Sequence, residues 1–366
     1  MKVLHLIESL EFGGAEKVLI HLANKMSGQH QVSVCTTKRR GELEGELEPR
    51  VASIHLDLGD GNNPSLPFAI RKLLRANGID ILHIHDWGVF VEGVIATLGT
   101  STRVVQTVHG PYIQYAPGYL SRAKRALRHA VERLLSPRVS KIIPVSGDIR
   151  QYIIGEIGIS ASKVAVIHNG ISDIGETARD RKESGEKVSF ITTGRLAAIK
   201  NHKMMLEAFA LVYPEYPGIS LTIVGDGDQL ASLKALCGSL GIEEAVRFPG
   251  FRSDVPGLLA QHDVFLLSSR YEGVSIALLE AMCLSMPAIV TDVGGLPEMV
   301  TPAASGFVVP ADSPEEFAAA MKRLVTQPSL IETLGAGARQ RYVDEFSEEI
   351  VISKYNAVYE ECIRNA

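Results

Sequence analysis

The segment Glu272–Glu280 (EGVSIALLE) places two carboxylates around the predicted start of a helix. It follows a predicted strand at Val264–Leu267, and the apolar pattern predicts that the helix begins near Ile276. Four backbone amides at this helix start could bind a phosphate or a hydroxyl, namely those of Gly273, Val274, Ser275 and Ile276. Carboxylates suit a polyhydroxylated ligand because each accepts several hydrogen bonds.

These two carboxylates also have a structural interpretation. Glu272 could be a solvated loop residue, and Glu280 could lie on the helix surface. However, Glu280 stands between Leu279 and Ala281 in an apolar helix, where a carboxylate is costly unless it has a partner. The pattern therefore favours a ligand-binding pair.

Two cations follow an earlier predicted strand, Val188–Thr192. The sequence TGRLAAIKN places Arg195 and Lys200 after the turn at Gly194, and Asn201 is predicted to cap the following helix. A leaving diphosphate needs neutralising charge, which arginine and lysine at a helix start supply without a metal. The alternative is that both are ordinary surface cations.

Glycines mark two further strand ends. Gly225 and Gly227 follow the strand Leu221–Val224 without the full G-x-G-x-x-G spacing of a dinucleotide fold. We predict that they give a nucleotide base or ribose close access to the backbone. A tight connection with no binding role is the alternative.

The first half of the chain offers a glycine pair and a histidine. Gly13 and Gly14 lie between the first strand and the first helix, where a ligand could approach the helix start. His109 follows the strand Val104–Val108 and could hydrogen-bond a sugar hydroxyl or the reacting region. A purely structural histidine is the alternative.

A metal site is not predicted. His83 and His85 share one face of a strand, but the sequence places no third ligand beside them. We therefore expect neither a metal nor another cofactor.

Strand-like and helix-like segments alternate along the whole chain, which predicts parallel sheets covered by helices on both faces. The strands predicted in the first half are Val3–Ile7, Val32–Cys35, Ile54–Leu56, Ile81–Ile84, Val104–Val108 and Ile142–Val145. Those of the second half are Val188–Thr192, Leu221–Val224, Val246–Phe248, Val264–Leu267 and Ala288–Val290. Between the halves, the polar segment Ile171–Lys187 predicts a linker. Two doubly wound domains with a ligand-binding cleft between them are the simplest architecture.

Composition is that of a soluble globular protein, with 366 residues, 46% hydrophobic and 22% charged. The net charge of -5 argues against a nucleic-acid partner. The scattered residues Cys35, Cys237, Cys283 and Cys362 predict free thiols in a reducing compartment. The start of the chain lacks the pattern of a signal peptide, so we expect a cytoplasmic protein that could also rest on the inner face of a membrane.

In order and spacing, these motifs resemble the retaining family 4 glycosyltransferases, over essentially the whole chain. The matching motifs are Gly13–Glu16 (GGAE), Thr107–Gly110 (TVHG), Val145–Ser146, Val166–Gly170 (VIHNG), Gly194–Leu196 with Lys200–Asn201, Gly225–Gly227 (GDG), the Glu272/Glu280 pair and Thr291–Glu298 (TDVGGLPE). One departure is Ser285–Pro287 (SMP), where the family usually has glycine before x-Pro. This puts the local turn in doubt.

The resemblance implies a GT-B fold, with two Rossmann-like domains that close on the substrates. The implied domains are 1–172 for the acceptor, 173–345 for the donor, and a final helix within 346–366 that returns to the first domain. Arg195 and Lys200 would hold the donor phosphates, and the Gly13–Gly14 loop would close on them. Glu280 would bind the ribose, Glu272 the transferred sugar, and His109 that sugar from the opposite domain.

The implied activity is metal-independent transfer from a nucleotide-diphosphate sugar to a sugar or lipid-linked acceptor, with retention of configuration, in surface polysaccharide or glycolipid synthesis. A nucleotide-sugar sensor and a GT-B epimerase are the alternatives. The choice of nucleobase, sugar and acceptor is expected to depend on the shape of the pocket and on first-domain loops such as Pro111–Gly118. The basic, amphipathic segment Leu120–Lys141 could rest on an anionic membrane, or it could be a packed helix with a solvated basic face.

Overall fold

The computed structural model describes residues 1–11, 13–59, 63–110, 119–175 and 187–364. The chain divides into two compact units, one formed by Met1–Asn169 with Glu349–Ala366 and the other by Gly170–Glu348. The loop Pro111–Gly118 and most of the predicted linker, residues 176–186, lie outside the described part of the chain.

Unit 1 is built on a six-stranded sheet with the strand order β3-β2-β1-β4-β5-β6. Its strands are β1 (Lys2–Ile7), β2 (Gln31–Thr36), β3 (Ala52–His55), β4 (Ile81–His85), β5 (Arg103–Val108) and β6 (Val139–Pro144). All the pairings are parallel. The chain order reverses between β1 and β4, which is where such sheets bind ligands.

Helices lie in most of the connections between these strands, as is usual for parallel crossovers, and one more helix follows β6. They are α1 (Gly14–Met26), α2 (Leu66–Asn77), α3 (Phe90–Ala96), α4 (Tyr119–Leu135) and α5 (Gly147–Tyr152). In α1 the predicted apolar face at Val18, Leu19 and Leu22 is buried. Burial of this apolar face stabilises the segment as a helix that packs on the sheet.

Unit 2 repeats this architecture, with the strand order β12-β11-β10-β7-β8-β9. Its strands are β7 (Ser189–Thr193), β8 (Ser220–Val224), β9 (Val246–Gly250), β10 (Val264–Leu267), β11 (Ala288–Thr291) and β12 (Gly306–Val309). These pairings are parallel too. Here the order reverses between β7 and β10.

The helices of unit 2 are α6 (His202–Val212), α7 (Leu230–Leu240), α8 (Val255–Ala260), α9 (Ile276–Cys283), α10 (Leu296–Met299), α11 (Pro314–Thr326) and α12 (Ser329–Arg341). The final helix, α13 (Glu348–Arg364), follows them in the chain. Nearly all of α13 belongs to unit 1, where Val351, Ile352 and Tyr355 join the core. The predicted return of the last helix to the first domain agrees with this division.

Two doubly wound, Rossmann-like domains are therefore confirmed. The sequence predicted eleven of the strands but missed β12, a short edge strand of only four residues. The four cysteines are free thiols and are buried, as expected. Ser285 adopts a φ of +57°, the left-handed conformation that the family's glycine would take without strain.

Candidate active site

Lys200 and Glu272 meet in unit 2 where the sheet reverses its order. Lys200 follows β7, Glu272 follows β10, and these strands are neighbours. The Lys200 ammonium donates to Glu272 Oε2, and the two side chains are only 23% and 15% exposed. Since an ammonium has three donors, Lys200 keeps capacity for a second ligand.

The loops that carry this pair are tied together through their backbones. The buried Ser268 hydroxyl donates to the carbonyls of Lys200, at 3.0 Å, and Asn201, at 3.1 Å. The Arg270 amide donates to the Ile199 carbonyl at 2.8 Å. Because these bonds fix the loops, the position of Lys200 depends on Ser268, a residue that the sequence did not single out.

Glu272 is anchored by a glycine pair after β11. The Gly295 amide donates to the Glu272 carbonyl at 3.0 Å. Gly294 has a φ of +53°, and a Cβ there would lie 1.9 Å from the same carbonyl oxygen. Only glycine fits this position. The signal for this position in the sequence is the double glycine just past a strand, which does not reveal that Glu272 is the partner.

The start of α9 presents open backbone donors beside Glu272. The Ser275 side chain caps the helix by accepting from the Leu278 amide. The amides of Gly273 and Val274 donate to no carbonyl among the described residues. Glu280, one turn into the helix, is half-buried and has an interaction partner in the structure. A charged phosphate or a hydroxyl could therefore bind this helix start.

Gly225 and Gly227 have no Cβ, which lets the backbone of the neighbouring loop at Gly194 and Leu196 pass close to them. A Cβ at Gly225 would lie 1.9 Å from the Gly194 carbonyl, and one at Gly227 would lie 2.5 Å from the Leu196 carbonyl. The Leu196 amide also donates to the Asp226 carbonyl at 2.9 Å. These contacts correspond to the tight-connection alternative, and a binding role for Gly225 and Gly227 stays a prediction.

Two other residues predicted to act after β7 are Arg195, as a phosphate-binding cation, and Asn201, as a helix cap. Arg195 is exposed and forms no ion pair with another described residue, so its charge is available to a ligand. Asn201 occupies the N-cap position of α6, but its side chain makes no capping bond. Its amide donates instead to Asp312 at 2.8 Å, so the predicted side-chain cap was wrong.

In unit 1, the helix start at Gly13 and Gly14 is partly occupied by an acid. A Cβ on Gly13 would lie 2.1 Å from Glu16 Oε2, whereas one on Gly14 would meet nothing within 4 Å. Burial, together with the charges of Asp86 and Glu11, raises the pKa of Glu16. A diphosphate at Gly13 would be repelled by the ionised carboxylate, which leaves Gly14 as the more open approach.

His109 is held at the carboxyl end of β5. Its backbone amide donates to Asp86 Oδ1 at 2.9 Å. Its ring lies nearly parallel to that of His85, at an interplanar angle of 16°, and its Nε2 is 3.2 Å from His85 Nδ1. Burial lowers the pKa of His109, and the Asp86 charge offsets this only in part. The imidazole is therefore neutral near pH 7 and can act as a hydrogen-bonding group.

Among the described residues, three histidines lie close enough together to be considered as metal ligands, namely His5, His83 and His85. His83 Nδ1 lies 2.6 Å from the Tyr359 hydroxyl and its Nε2 lies 2.7 Å from the Thr107 hydroxyl. Because both nitrogens of His83 are already hydrogen-bonded, a metal would have to displace these bonds. The expectation that the protein binds no metal stays a prediction.

Two family models match the chain. The model described as Glycosyltransferase Family 4 matches residues 12–173, and the one described as Glycosyl transferases group 1 matches residues 173–341. With the two Rossmann-like domains, these matches show that the chain is a family 4 glycosyltransferase with the GT-B fold.

Curated relatives are more distant in sequence. An uncharacterized glycosyltransferase of Methanocaldococcus jannaschii is 27% identical over 300 residues, covering 78% of this chain and 76% of the relative. An Escherichia coli enzyme, UDP-Gal:alpha-D-GlcNAc-diphosphoundecaprenol alpha-1,3-galactosyltransferase, is 26% identical over 310 residues. The match covers 81% of this chain and 79% of the relative.

Among solved structures, Anabaena HepE in complex with UDP is similar over 99% of this chain and 100% of its own, with a TM-score of 0.82 and 22% identity. The same protein in complex with UDP-glucose gives a TM-score of 0.78 at 23% identity, covering 100% of both chains. At this identity the likeness concerns the fold. No helix within the described ranges is both long and apolar enough to cross a bilayer.

Proposed function

We propose that this glycosyltransferase moves a sugar from a nucleoside diphosphate donor to an acceptor hydroxyl, with retention of configuration and without a metal. The observation that carries the proposal is the meeting of Lys200 and Glu272 beside the start of α9, at the reversal point of the unit 2 sheet. This arrangement combines a cation, open helix amides and a carboxylate, which suit a diphosphate joined to a sugar.

Each residue has a role in this proposal. Lys200 and the exposed Arg195 bind the donor phosphates and neutralise the charge that develops when the diphosphate leaves. Glu272 accepts hydrogen bonds from hydroxyls of the transferred sugar, and Glu280 from those of the ribose. His109 is proposed as a further contact of the transferred sugar.

The proposed reaction proceeds on one face of the sugar. The bond between C1 and the diphosphate oxygen breaks through an oxocarbenium-like state, and the acceptor oxygen forms its bond to C1 on the same face. The departing phosphate takes the proton of the acceptor hydroxyl. No carboxylate in the first-domain motifs is an obvious nucleophile, so we propose direct same-face substitution rather than a covalent intermediate.

We propose a uridine diphosphate sugar as the donor, because UDP and UDP-glucose are what the structures of Anabaena HepE contain. The galactosyltransferase relative names a lipid-linked sugar as its acceptor. A lipid-linked or free sugar acceptor, used in surface polysaccharide or glycolipid synthesis, is therefore the proposed second substrate.

The proposal is tested in two stages with the full chain. A thermal-shift screen compares UDP-, GDP- and ADP-sugars at equal concentration, since a ligand at 100 times its Kd stabilises the fold by about 2.7 kcal/mol. Selective stabilisation by one UDP-sugar is expected. Transfer to candidate acceptors is then followed by NMR of the anomeric proton, and an inverted product, or binding without any glycoside formed, would contradict the proposal.

Gly14 offers a test of the glycine loop that does not disturb the protein. Gly14→Ala meets no atom within 4 Å and lies at the first residue of α1, so stability should hold or rise by about 0.4–1 kcal/mol. If donor phosphates approach this helix start, the added methyl should weaken donor binding by about 1–3 kcal/mol. Calorimetric titration with the donor measures this loss.

Gly155→Ala is the matched control, because Gly155 also has open space around its Cβ position and lies outside the proposed site. It should bind the donor as the wild type does. Equal donor affinity in the Gly14 and Gly155 variants would remove the loop from the proposed site.

We also propose that α4 rests on an anionic membrane. Leu127 and Leu134 are 68% and 77% exposed and share one face of the helix, being seven residues apart. Lys124 is exposed near this face, whereas Arg128 is bound to the buried Glu132. Exposed leucines beside an exposed lysine favour membrane contact over a packed helix. The side chain of Leu120 lies outside the described residues.

Removal of the two leucines should abolish most membrane binding. Burial of one leucine is worth about 1.5–3 kcal/mol, so Leu127→Ser/Leu134→Ser should reduce co-sedimentation with anionic vesicles at least tenfold. Leu211→Ser is the control, since Leu211 is also exposed, at 57%, but lies in unit 2. Binding that is the same for neutral and anionic vesicles would contradict the proposal.

A further inference from the structure

A cleft of about 510 Å³ opens at the amino-terminal edge of the unit 1 sheet. Its walls come from the connection between α3 and β5, from the starts of β5 and β6, and from the last turn of α13. His109 follows the other end of β5, and at about 3.3 Å per residue the strand separates it from the cleft by roughly 20 Å. The cleft shares no residue with the candidate active site, and its volume is within the usual range for small-molecule sites.

Arg103, the first residue of β5, lines this cleft with a guanidinium that has no hydrogen bond or ion pair to another described residue. Its Nε is enclosed by protein, but its two Nη nitrogens are not among the enclosed atoms, so they remain accessible to a ligand. Burial raises the pKa of the Cys362 thiol to about 11, and the nearby charge of Arg103 is among those that oppose the rise. The Arg103 charge therefore lies close to Cys362, on the opposite wall of the cleft.

Three further side chains of the cleft offer donors without a partner. Arg138 is exposed and forms no ion pair with another described residue. The hydroxyls of Ser101 and Ser140 likewise make no hydrogen bond within the described part of the chain. Guanidinium groups bind phosphate through two parallel hydrogen bonds, and hydroxyls can donate to the remaining oxygens.

The backbone that carries these donors is fixed in place. The Thr102 hydroxyl donates to the Ile79 carbonyl at 2.8 Å, which holds the connection from α3 to β5. Lys163 uses all three donors of its ammonium on backbone carbonyls within residues 136–139, at 2.7–3.1 Å. The free donors therefore stand on held segments, so a ligand would not have to order the loops when it binds.

The charge of the cleft suits an anion. Its one acid, Glu361, is paired with the Lys141 ammonium at 2.8 Å. The carbonyl end of α3 is also covered, because Arg71 donates to the carbonyls of Ile95 and Ala96 at 2.9 and 3.1 Å. Against this neutralised acid, the lining includes three cations, which are Arg103, Arg138 and Lys163.

We propose that this cleft binds the phosphate group of a small phosphorylated molecule, such as a sugar phosphate, through Arg103, Arg138, Ser101 and Ser140. The volume admits the whole molecule and not only its phosphate. This second site goes beyond the transfer reaction and does not depend on it. A ligand there would also contact the last turn of α13, and so stabilise the packing of that helix on unit 1.

Calorimetric titration of the full-length protein with glucose 6-phosphate tests the proposal, and glucose is the probe that lacks the phosphate. The wild type should bind glucose 6-phosphate and not glucose. Arg103→Gln/Arg138→Gln should weaken this binding about 10- to 100-fold, because hydrogen bonds to charged groups are lost. Wild-type protein that does not bind glucose 6-phosphate at millimolar concentration, or that binds glucose equally well, would overturn the inference.

Arg50→Gln is the matched control. Arg50 is an exposed arginine of the same unit, with no ion pair to another described residue, and it lies before β3 at the opposite edge of the sheet. Its replacement should leave the affinity unchanged. Arg138→Gln alone covers the case that the double variant is unstable, since Arg138 is exposed; normal affinity in this folded variant would also overturn the inference.

The proposed donor site also binds phosphates, and Lys200→Ala separates the two sites. This variant should keep its affinity for glucose 6-phosphate. Binding that is lost in Lys200→Ala but kept in Arg103→Gln/Arg138→Gln would overturn the cleft and leave the proposed function intact. If the protein transfers no sugar but loses glucose 6-phosphate in the double variant, the cleft stands and the proposed function falls.

A lipid headgroup could supply the same phosphate group, and co-sedimentation with phosphatidic acid vesicles distinguishes this source. Binding of glucose 6-phosphate that depends on the two arginines supports the soluble ligand. If instead the double variant binds glucose 6-phosphate as the wild type does but no longer binds the vesicles, the cleft holds a lipid headgroup and the inference is wrong.

Discussion

Lys200→Ala is expected to lower turnover with a nucleotide-sugar donor about 30- to 10³-fold, which corresponds to about 2–4 kcal/mol of lost transition-state stabilisation. The ammonium is the cation that the structure holds in place, through Glu272 on one side and the Ser268-bound backbone on the other. Because the charge of the diphosphate increases as it leaves, the loss should fall mainly on kcat. Steady-state kinetics with the preferred donor measures it.

Lys203→Ala is the matched control for this experiment. Lys203 lies in the first turn of α6, is 68% exposed, and pairs only loosely with Glu207 at 3.7 Å. Its removal should leave turnover unchanged, since exposed pairs contribute little. Turnover of Lys200→Ala and Arg195→Ala within a few-fold of the wild type would show that neither cation serves the leaving group.

Gly294→Ala is expected to damage both stability and turnover. The alanine would have to adopt a φ of +53° with its Cβ 1.9 Å from the Glu272 carbonyl oxygen. The backbone strain alone costs about 1–2 kcal/mol, and relief of the clash must displace Glu272. We expect the thermal midpoint to fall by several degrees, and turnover to fall at least tenfold, because Glu272 no longer meets the sugar and Lys200.

Gly257→Ala provides the comparison, since nothing lies within 4 Å of a Cβ at that position in α8. It should be neutral or slightly stabilising. If Gly294→Ala kept normal turnover at a temperature where it is folded, the position of Glu272 would not matter for the reaction.

Most of the fold was predictable because buried parallel strands are continuous apolar runs and their crossovers are amphipathic helices. β10 was predicted at its observed bounds, Val264–Leu267. The edge strand β12, Gly306–Val309, was missed because only the four-residue helix α10 separates it from β11, so the alternation of strands and full-length helices is interrupted there.

The site was predictable only up to the strand ends. Lys200 and Glu272 each follow a predicted strand, but their contact depends on β7 and β10 being neighbours in the sheet. The order of strands in a sheet cannot be read from their spacing in the sequence. The predicted cap at Asn201 failed for a related reason, since its amide finds Asp312 more than a hundred residues away. Gly294 shows the same limit, because its clash partner is the Glu272 backbone.

The histidines illustrate how register carries information that a linear pattern lacks. His83 and His85 were noted because they share one strand face. His5 joins them because β1 pairs with β4 so that His5 lies opposite His83. The contacts of His5 with His85 and of His85 with His109 could be inferred only once these strands were aligned.

In the proposed function, Lys200, Arg195, Glu272 and Glu280 bind the diphosphate, ribose and sugar of one donor. A crystal structure of the protein with its preferred nucleotide sugar tests this most directly. We expect phosphate oxygens about 3 Å from the Lys200 ammonium and the α9 amides, with the ribose hydroxyls hydrogen-bonded to Glu280. A nucleotide bound away from the carboxyl ends of β7 and β10 would contradict it.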